Sequence, residues 1–166
     1  MPAPMALAAA GLALALGAGP AEPPRPASGE WRQARWGMTV EEVLRAFPGE
    51  ARRLDPAERL ADGNVVAAAI ERFEVASTSF RVRFVFEGGK LALVSLRTPP
   101  DEYAAPEAFE RLERHLAATF GAAGEVSRDD SFIDLRQTRW KLARGAVDLK
   151  YIPGVLVILH HRGPGA

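Results

Sequence analysis

The chain has 166 residues, and its 21 Lys and Arg residues balance its 21 Asp and Glu residues, so the formal net charge is zero. A neutral protein has no net attraction for nucleic acid or for an anionic membrane surface, and we expect no nucleic acid partner. No cysteine is present, which excludes disulfides, thiolate metal sites, a cysteine nucleophile and a lipid-modified cysteine.

Residues 1–21 are typical of a secretory signal peptide. From Met5 to Gly19 there is no charged or polar side chain, and small residues follow at the end of the run. The run is shorter than the ~20 apolar residues that a spanning helix needs. The sequence therefore predicts a cleaved signal and a periplasmic or secreted protein. The alternative is an uncleaved N-terminal membrane anchor, because residues 1–4 lack the usual basic residue.

A Pro-rich linker is predicted over residues 22–30, since prolines prevent both a helix and a sheet ladder. We expect one folded domain over 31–162 and a frayed tail at 163–166.

The first predicted helix begins after Thr39, which forms a capping box with Glu42. Its apolar stripe runs to Phe47, and Pro48-Gly49 ends it. Residues 50–64 are polar, and their pattern suggests one helical turn over 56–60 and no strand.

Three strands are predicted next, over 65–75, 80–86 and 91–97. A two-residue turn at Gly88-Gly89 joins the last two, because both positions of a type I′ turn need positive φ. This turn sets a register in which Phe86 pairs with Leu91 and, further along, Arg83 pairs with Val94.

In this register one face of the hairpin is half apolar and lies away from the predicted core. Exposed apolar patches mark interaction sites, so this face is a candidate interaction surface. Its candidate residues, with Trp36 as an aromatic anchor, are Arg81, Arg83, Val85, Val94, Leu96 and Trp36. The alternative is that another part of the chain covers this face and that Val94 and Leu96 belong to the core.

The second half repeats the same order of elements. Pro106 opens a helix whose apolar stripe ends near Phe120, and Gly121 caps it. Three strands are predicted within 131–142 and over 147–152 and 155–161. The sequence thus predicts an α+β fold with antiparallel sheet and two main helices, as two tandem α-βββ units over 31–98 and 104–162. The alternative is a single α+β domain without internal duplication.

No side-chain pattern indicates catalysis, a metal or a cofactor. His160 and His161 are adjacent on a strand and point to opposite faces, and His115 is placed at the edge of a helix stripe. The acidic cluster Asp129, Asp130 and Asp134 lacks the spacing of a calcium loop and is interpreted as a solvated turn.

Four arginines of the first half form either a basic strip or cross-strand ion pairs. The arginines are Arg72, Arg81, Arg83 and Arg97, and the carboxylates near them are Glu71, Glu74 and Glu87. Because these carboxylates are close in sequence, ion pairs are favoured over an anion site.

The residues that lead into the first predicted helix and form its first turn are Trp36-Gly37-Met38-Thr39-Val40-Glu41-Glu42-Val43. This stretch resembles the start of BamE/SmpA-type envelope domains. The predicted tandem order also resembles the repeat architecture of the β-lactamase inhibitor protein. These resemblances imply helices packed on a small antiparallel sheet and a role in protein–protein contact. The chain lacks the lipidated cysteine of the first family and the disulfides of the second, so no partner-binding residue is carried over.

The function expected from the sequence is that of an exported, non-catalytic interaction or envelope-assembly module whose partner is another envelope protein. A membrane contact is expected only if the N-terminal segment is retained. The alternatives are a periplasmic carrier or sensor for a small ligand, and a hydrolase with an unrecognised carboxylate site. A concave pocket with convergent polar groups favours these alternatives, and a flat, half-apolar face favours the interaction module.

Overall fold

The computed structural model describes residues 30–100, 105–129 and 135–165. The predicted signal at 1–21 and all of the predicted linker except Glu30 lie outside the described residues. Over these ranges the fold is α+β, as predicted, with two helices and one eight-stranded antiparallel sheet. The elements in chain order are α1 (Val40–Ala46), β1 (Arg52–Arg59), β2 (Val65–Val75), β3 (Thr78–Glu87), β4 (Lys90–Arg97), α2 (Pro106–Phe120), β5 (Glu125–Asp129), β6 (Leu135–Leu142), β7 (Gly145–Ile152) and β8 (Leu156–Arg162).

The sheet consists of two four-stranded meanders that meet at their last strands. The strand order is β1-β2-β3-β4-β8-β7-β6-β5, so β4 and β8 are neighbours at the centre. The prediction of three strands after each helix is therefore wrong, because β1 and β5 were missed. Both are edge strands with a single neighbour, and neither carries the alternating apolar pattern by which strands are recognised.

The edge strand β1 lies in the polar segment 50–64, so the helical turn expected over 56–60 is wrong. Its sequence is mostly charged and contains Pro56, which follows a cis peptide bond. Its pairing with β2 is interrupted by a register shift between Arg53 and Glu58. Charged residues, proline and bulges are features by which edge strands avoid pairing with other chains.

The predicted starts and ends of the helices are confirmed. The Thr39 hydroxyl accepts a hydrogen bond from the Glu42 N–H, and the Glu42 carboxylate accepts one from the Thr39 N–H at 2.8 Å. Helix α2 has Pro106 in its first turn, and Gly121, with a φ of 85°, follows its last residue. The Trp140 indole N–H donates to the Gly121 carbonyl at 3.0 Å, which fixes the end of α2 over β6.

The hydrophobic core lies between the helices and one face of the sheet. On the first half, the Phe47 ring at the end of α1 is 5.4 Å from the Phe84 ring of β3. On the second half, the Phe109 ring of α2 is 6.2 Å from the Tyr151 ring of β7. The strand registers place Phe84 and Tyr151 on the same face, so both helices cover one side of the sheet.

The hairpin β3–β4 contains a bulge that changes the predicted register. Phe86 pairs with Leu91 as predicted, but Val85 then pairs with Leu93, and Ala92 is the extra residue. A slip of one residue moves every later side chain of the strand to the other face of the sheet.

This register corrects the candidate interaction surface. Val94 and Leu96 pair with Phe84 and Val82, and both are fully buried in the core beneath the helices. The prediction that they share a face with Arg81 and Arg83 is therefore wrong, and the alternative, that they belong to the core, is correct.

Val94→Ala is expected to destabilise the protein by about 2–3 kcal/mol, since it removes two buried carbon groups and leaves a cavity. The matched control is Val126→Ala, because Val126 is 71% exposed and the same change there is expected to stay within about 0.5 kcal/mol. Urea unfolding of both variants measures the difference. Equal stabilities of the two variants would contradict the observed register.

Candidate functional site

The candidate site lies on the sheet face opposite the helices, which we call the polar face. A single row of paired residues crosses all eight strands on this face, and seven of its eight members are polar or charged. In strand order the row is Arg52, Ala69, Arg83, Ser95, His160, Asp148, Arg139 and Glu125. The polar face is therefore continuous across the junction of β4 and β8.

Asp148 is the most deeply buried charge on the polar face, with no exposed surface. Its carboxylate accepts hydrogen bonds from Arg139 on β6 and from Arg162 Nε on β8, the latter at 2.9 Å. Burial by itself would raise the pKa of Asp148, but the two guanidinium groups outweigh burial and hold this pKa below its usual value. Asp148 is thus a paired, ionised group that ties three strands together.

His160 lies next to Asp148 in the row and is 8% exposed. Its Nδ1 atom is 3.3 Å from the Arg162 Nη2 atom, and its buried Nε2 atom has no hydrogen-bond partner in the described part of the chain. Burial, followed by the positive charges of Arg162, Arg97 and Lys150, lowers the pKa of His160 to about 3, although Asp148 opposes the shift. The imidazole is therefore neutral at neutral pH.

A cavity of about 480 Å³ opens at one end of the polar face, and we call it the arginine cavity. Its lining comes from β1, β3, the end of β4 and the turn between β7 and β8. The lining residues are Glu58, Arg81, Arg83, Arg97, Thr98, Pro99, Pro100, Gly154, Val155 and Leu156. Among the described residues of the lining, three arginines and one glutamate leave a surplus of two positive charges.

Two of the three arginines of the cavity have carboxylate partners. Arg83 forms an ion pair with Glu58 through its Nη2 atom. This atom is buried, and its contact with the Glu58 carboxylate does not have the geometry of a hydrogen bond. Arg81 lies 3.3 Å from Glu71, a carboxylate that also pairs with Arg52. The prediction of cross-strand ion pairs is thus confirmed for Arg81.

Arg97 is the exception among these arginines. Its Nε donates to the Ser95 hydroxyl at 3.3 Å, and within the described ranges it forms no ion pair. Burial lowers the pKa of Arg97, and the nearby charge of Arg83 lowers it further, while Glu58 opposes both. Arg97 is therefore a half-buried cation whose charge has no direct counter-ion among the described residues.

An apolar wall completes the cavity. Pro99 and Pro100 follow β4, and Val155 and Leu156 lead into β8. Val155 is 55% exposed, which is unusual for a large apolar residue of this chain. The cavity thus places guanidinium groups on one side and apolar carbon on the other, an arrangement common in small-ligand sites.

The structure brings together only part of the predicted surface. Arg81 and Arg83 line the cavity, and Val85 is buried further along the same face. Trp36 lies at the beginning of β4, where it packs beside Gly163, whereas the cavity lies at the end of β4. Val94 and Leu96 lie on the opposite face, in the core.

Among the charged residues that sequence reasoning missed are Glu58, which lines the cavity, and Asp148, which is buried on the polar face. Glu58 belongs to the polar segment 50–64, and Asp148 carries no local signal of its burial. His160 and His161 lie on opposite faces, as predicted, since they pair with Ser95 and Val94 respectively. In the described ranges no cluster of three or more His, Cys, Asp or Glu residues is arranged to hold a metal ion. Asp130 and Asp134 of the predicted acidic cluster lie outside these ranges.

Comparison with known proteins finds no family model, no curated protein and no solved structure that matches this chain. Within the described ranges, neither helix has the length and apolar character needed to cross a membrane. The function is therefore argued from the geometry of the polar face.

The buried His160 is expected to make stability fall as the pH drops below about 6.5. Below this value the unfolded chain binds a proton at His160, whereas the folded protein does not until the pH reaches about 3. The loss is at most roughly 1.4 kcal/mol per pH unit. The pKa of Asp148 in the unfolded chain is 3.8, so Asp148 contributes a further loss of stability only at lower pH than His160 does.

Melting temperatures of the wild type and of His160→Gln between pH 7.5 and 4.5 measure this effect. The variant should show the flatter profile over that window, because glutamine does not titrate. Parallel profiles of the two proteins would mean that His160 does not become protonated on unfolding.

Proposed function

We propose that this chain is an exported, non-catalytic binding protein that holds its ligand in the arginine cavity. The observation that carries the proposal is Arg97, a half-buried cation that lies beside a second arginine and has no direct counter-ion in the described part of the chain. A partly desolvated charge without a partner is costly in a folded protein. A ligand that supplies the missing negative charge removes this cost, so the cavity is preorganised for an anion.

Binding is supported over catalysis by the roles of the other polar groups of the cavity. The Thr98 hydroxyl accepts a hydrogen bond from the Val157 N–H at 3.1 Å, which closes the junction of β4 and β8. The Glu58 carboxylate is paired with Arg83. Both groups are engaged in holding the cavity, which leaves Arg97 as the charged group of the described lining that has no ion-pair partner.

A protein-interaction module is the second candidate. The exposed Val155 stands at the rim of the cavity, so an apolar side chain of a partner protein could rest there while an acidic group meets the arginines. The resemblance to BamE/SmpA-type domains and to the β-lactamase inhibitor protein points to the same role.

The tandem organisation is part of the proposal. Each helix is followed by a four-stranded meander, over 31–98 and 104–162, and the last strand of each meander lies at the centre of the sheet. Both helices also cover the same face. This repetition supports a duplicated unit, in which the polar face and its cavity arise at the junction of the two copies.

Export is proposed from the composition of residues 1–21. Mass spectrometry of the protein recovered from the producing cell is expected to show a chain that begins within residues 18–25, because signal peptides are cleaved after small residues. A protein that retains Met1 and fractionates with membranes would instead support the anchored alternative.

Arg97→Gln is expected to leave the ligand-free protein as stable as the wild type, or to raise its melting temperature by a few degrees. The reason is that the change removes an uncompensated charge. Residues at binding sites often lower the stability of the folded protein, so replacing them can raise it. Arg83→Gln is expected to lower the melting temperature, because it leaves Glu58 unpaired. Differential scanning calorimetry measures both changes.

The control for these variants is Arg72→Gln, the same change at an exposed arginine of β2 that does not line the cavity. It should shift the melting temperature by less than about 2 °C. If Arg97→Gln destabilises the protein as much as Arg83→Gln does, Arg97 is a structural residue and the proposal fails.

A further inference from the structure

We infer, on the basis of the proposed function, that the ligand of the arginine cavity is a small amphiphile: a single carboxylate joined to a short apolar chain. The inference rests on three features of the cavity, which are the pairing of its arginines, its limited charge surplus and the position of its apolar wall.

The pairing of the arginines is the first feature. Arg81 and Arg97 are directly opposite each other on β3 and β4, and Arg83 is two residues along β3 from Arg81. Like charges directly opposite each other destabilise a sheet, because their side chains start only about 5 Å apart. An oxyanion between these two strands turns the repulsion into attraction. A planar guanidinium also matches a carboxylate, which it can bind through two parallel hydrogen bonds.

The charge surplus of the cavity limits the charge of the ligand. Glu58 lies in the lining and Glu71 pairs with Arg81 beside it, so carboxylates flank the arginines on the β1 and β2 side. These carboxylates repel a polyanion more strongly than a single carboxylate, so a ligand with one negative charge is favoured. Because Glu71 already pairs with Arg81, less than the surplus of two positive charges in the described lining is left for a ligand, which suits one carboxylate.

The apolar wall of the cavity indicates which chemical group accompanies the carboxylate in the ligand. Pro99, Pro100, Val155 and Leu156 form the side of the cavity nearest the turn between β7 and β8. A cavity of about 480 Å³ lies within the usual range for small-molecule sites. An apolar chain that extends from Arg97 along this wall would cover Val155, which is otherwise 55% exposed to water.

Two sources could provide this chemistry, which are a free carboxylic acid and the C-terminal carboxylate of an apolar peptide. Octanoate represents the first, and the tripeptide Ala-Leu-Leu with a free C-terminus represents the second, with its C-terminal amide as the control. Octanol has the apolar chain without the charge, and acetate has the charge without the chain. Octyl phosphate tests a different anion on the same chain.

Isothermal titration of the full chain with these probes tests the inference. Octanoate or the free tripeptide is expected to bind at least 10-fold more tightly than octanol, acetate and the amidated tripeptide. Arg97→Gln should weaken the binding of the tighter probe roughly 10- to 100-fold, the range for loss of a hydrogen bond to a charged group. Arg97→Lys keeps the charge but loses the planar guanidinium group. It should therefore bind the tighter probe more strongly than Arg97→Gln does and less strongly than the wild type does.

Val155→Asp should also weaken binding of the carboxylate, because it places a negative charge at the rim, while Arg72→Gln should leave it unchanged. The inference would be overturned if each carboxylate probe bound no more tightly than its uncharged counterpart, or if Arg97→Gln did not alter the binding of the tighter carboxylate probe. Binding of octyl phosphate alone would overturn the carboxylate assignment and leave the proposed function intact. If no probe binds the wild type while Arg97→Gln is destabilised, the proposed function fails with it.

Discussion

The ladder between β4 and β8 is the constraint on which the rest of the structure depends. All other strand pairs are between strands that follow one another in the chain, whereas this ladder joins residues 93–97 to residues 158–162. It makes the polar row continuous and brings the turn before β8 beside the end of β4. The arginine cavity exists only because of this contact, since Arg97 comes from one half of the chain and Leu156 from the other.

Buried polar groups on the polar face hold this arrangement in one register. Asp148 is satisfied only when Arg139 and Arg162 lie on the strands on either side of it. A slip of one residue in β7 would turn Asp148 into the hydrophobic core beneath α2, where an unpaired carboxylate is very costly. The same slip would expose Val147 and Leu149, which are fully buried. Polar and apolar residues therefore favour the same register, and the cavity is formed by strands that cannot easily shift.

The helices, the Gly88-Gly89 turn and most of the central strands could be predicted from the sequence because their signals are local. The capping box of Thr39 and the two positive φ values of the turn need no information from distant residues. The bulge at Ala92 could not be predicted, since Leu91, Leu93 and Val94 are apolar and the pattern fits either register. Edge strands β1 and β5 were missed because a strand with one neighbour needs little apolar surface. The arginines were recognised as a group, but Glu58 and Leu156 come from distant segments, so the cavity itself had no sequence signal.

The neutral net charge of the chain limits long-range electrostatic attraction, but it does not determine the local charge of a binding site. Charges separated by more than the Debye length, about 8 Å at physiological salt, are largely screened from one another. A ligand in the cavity therefore interacts with Arg81, Arg83 and Arg97 and hardly with the acidic residues at the far end of the sheet. A partly desolvated guanidinium also attracts an anion more strongly than the same group in water, because the local dielectric constant is lower. Local geometry can thus give a neutral protein an anion site without the non-specific affinity for nucleic acid that a basic protein has.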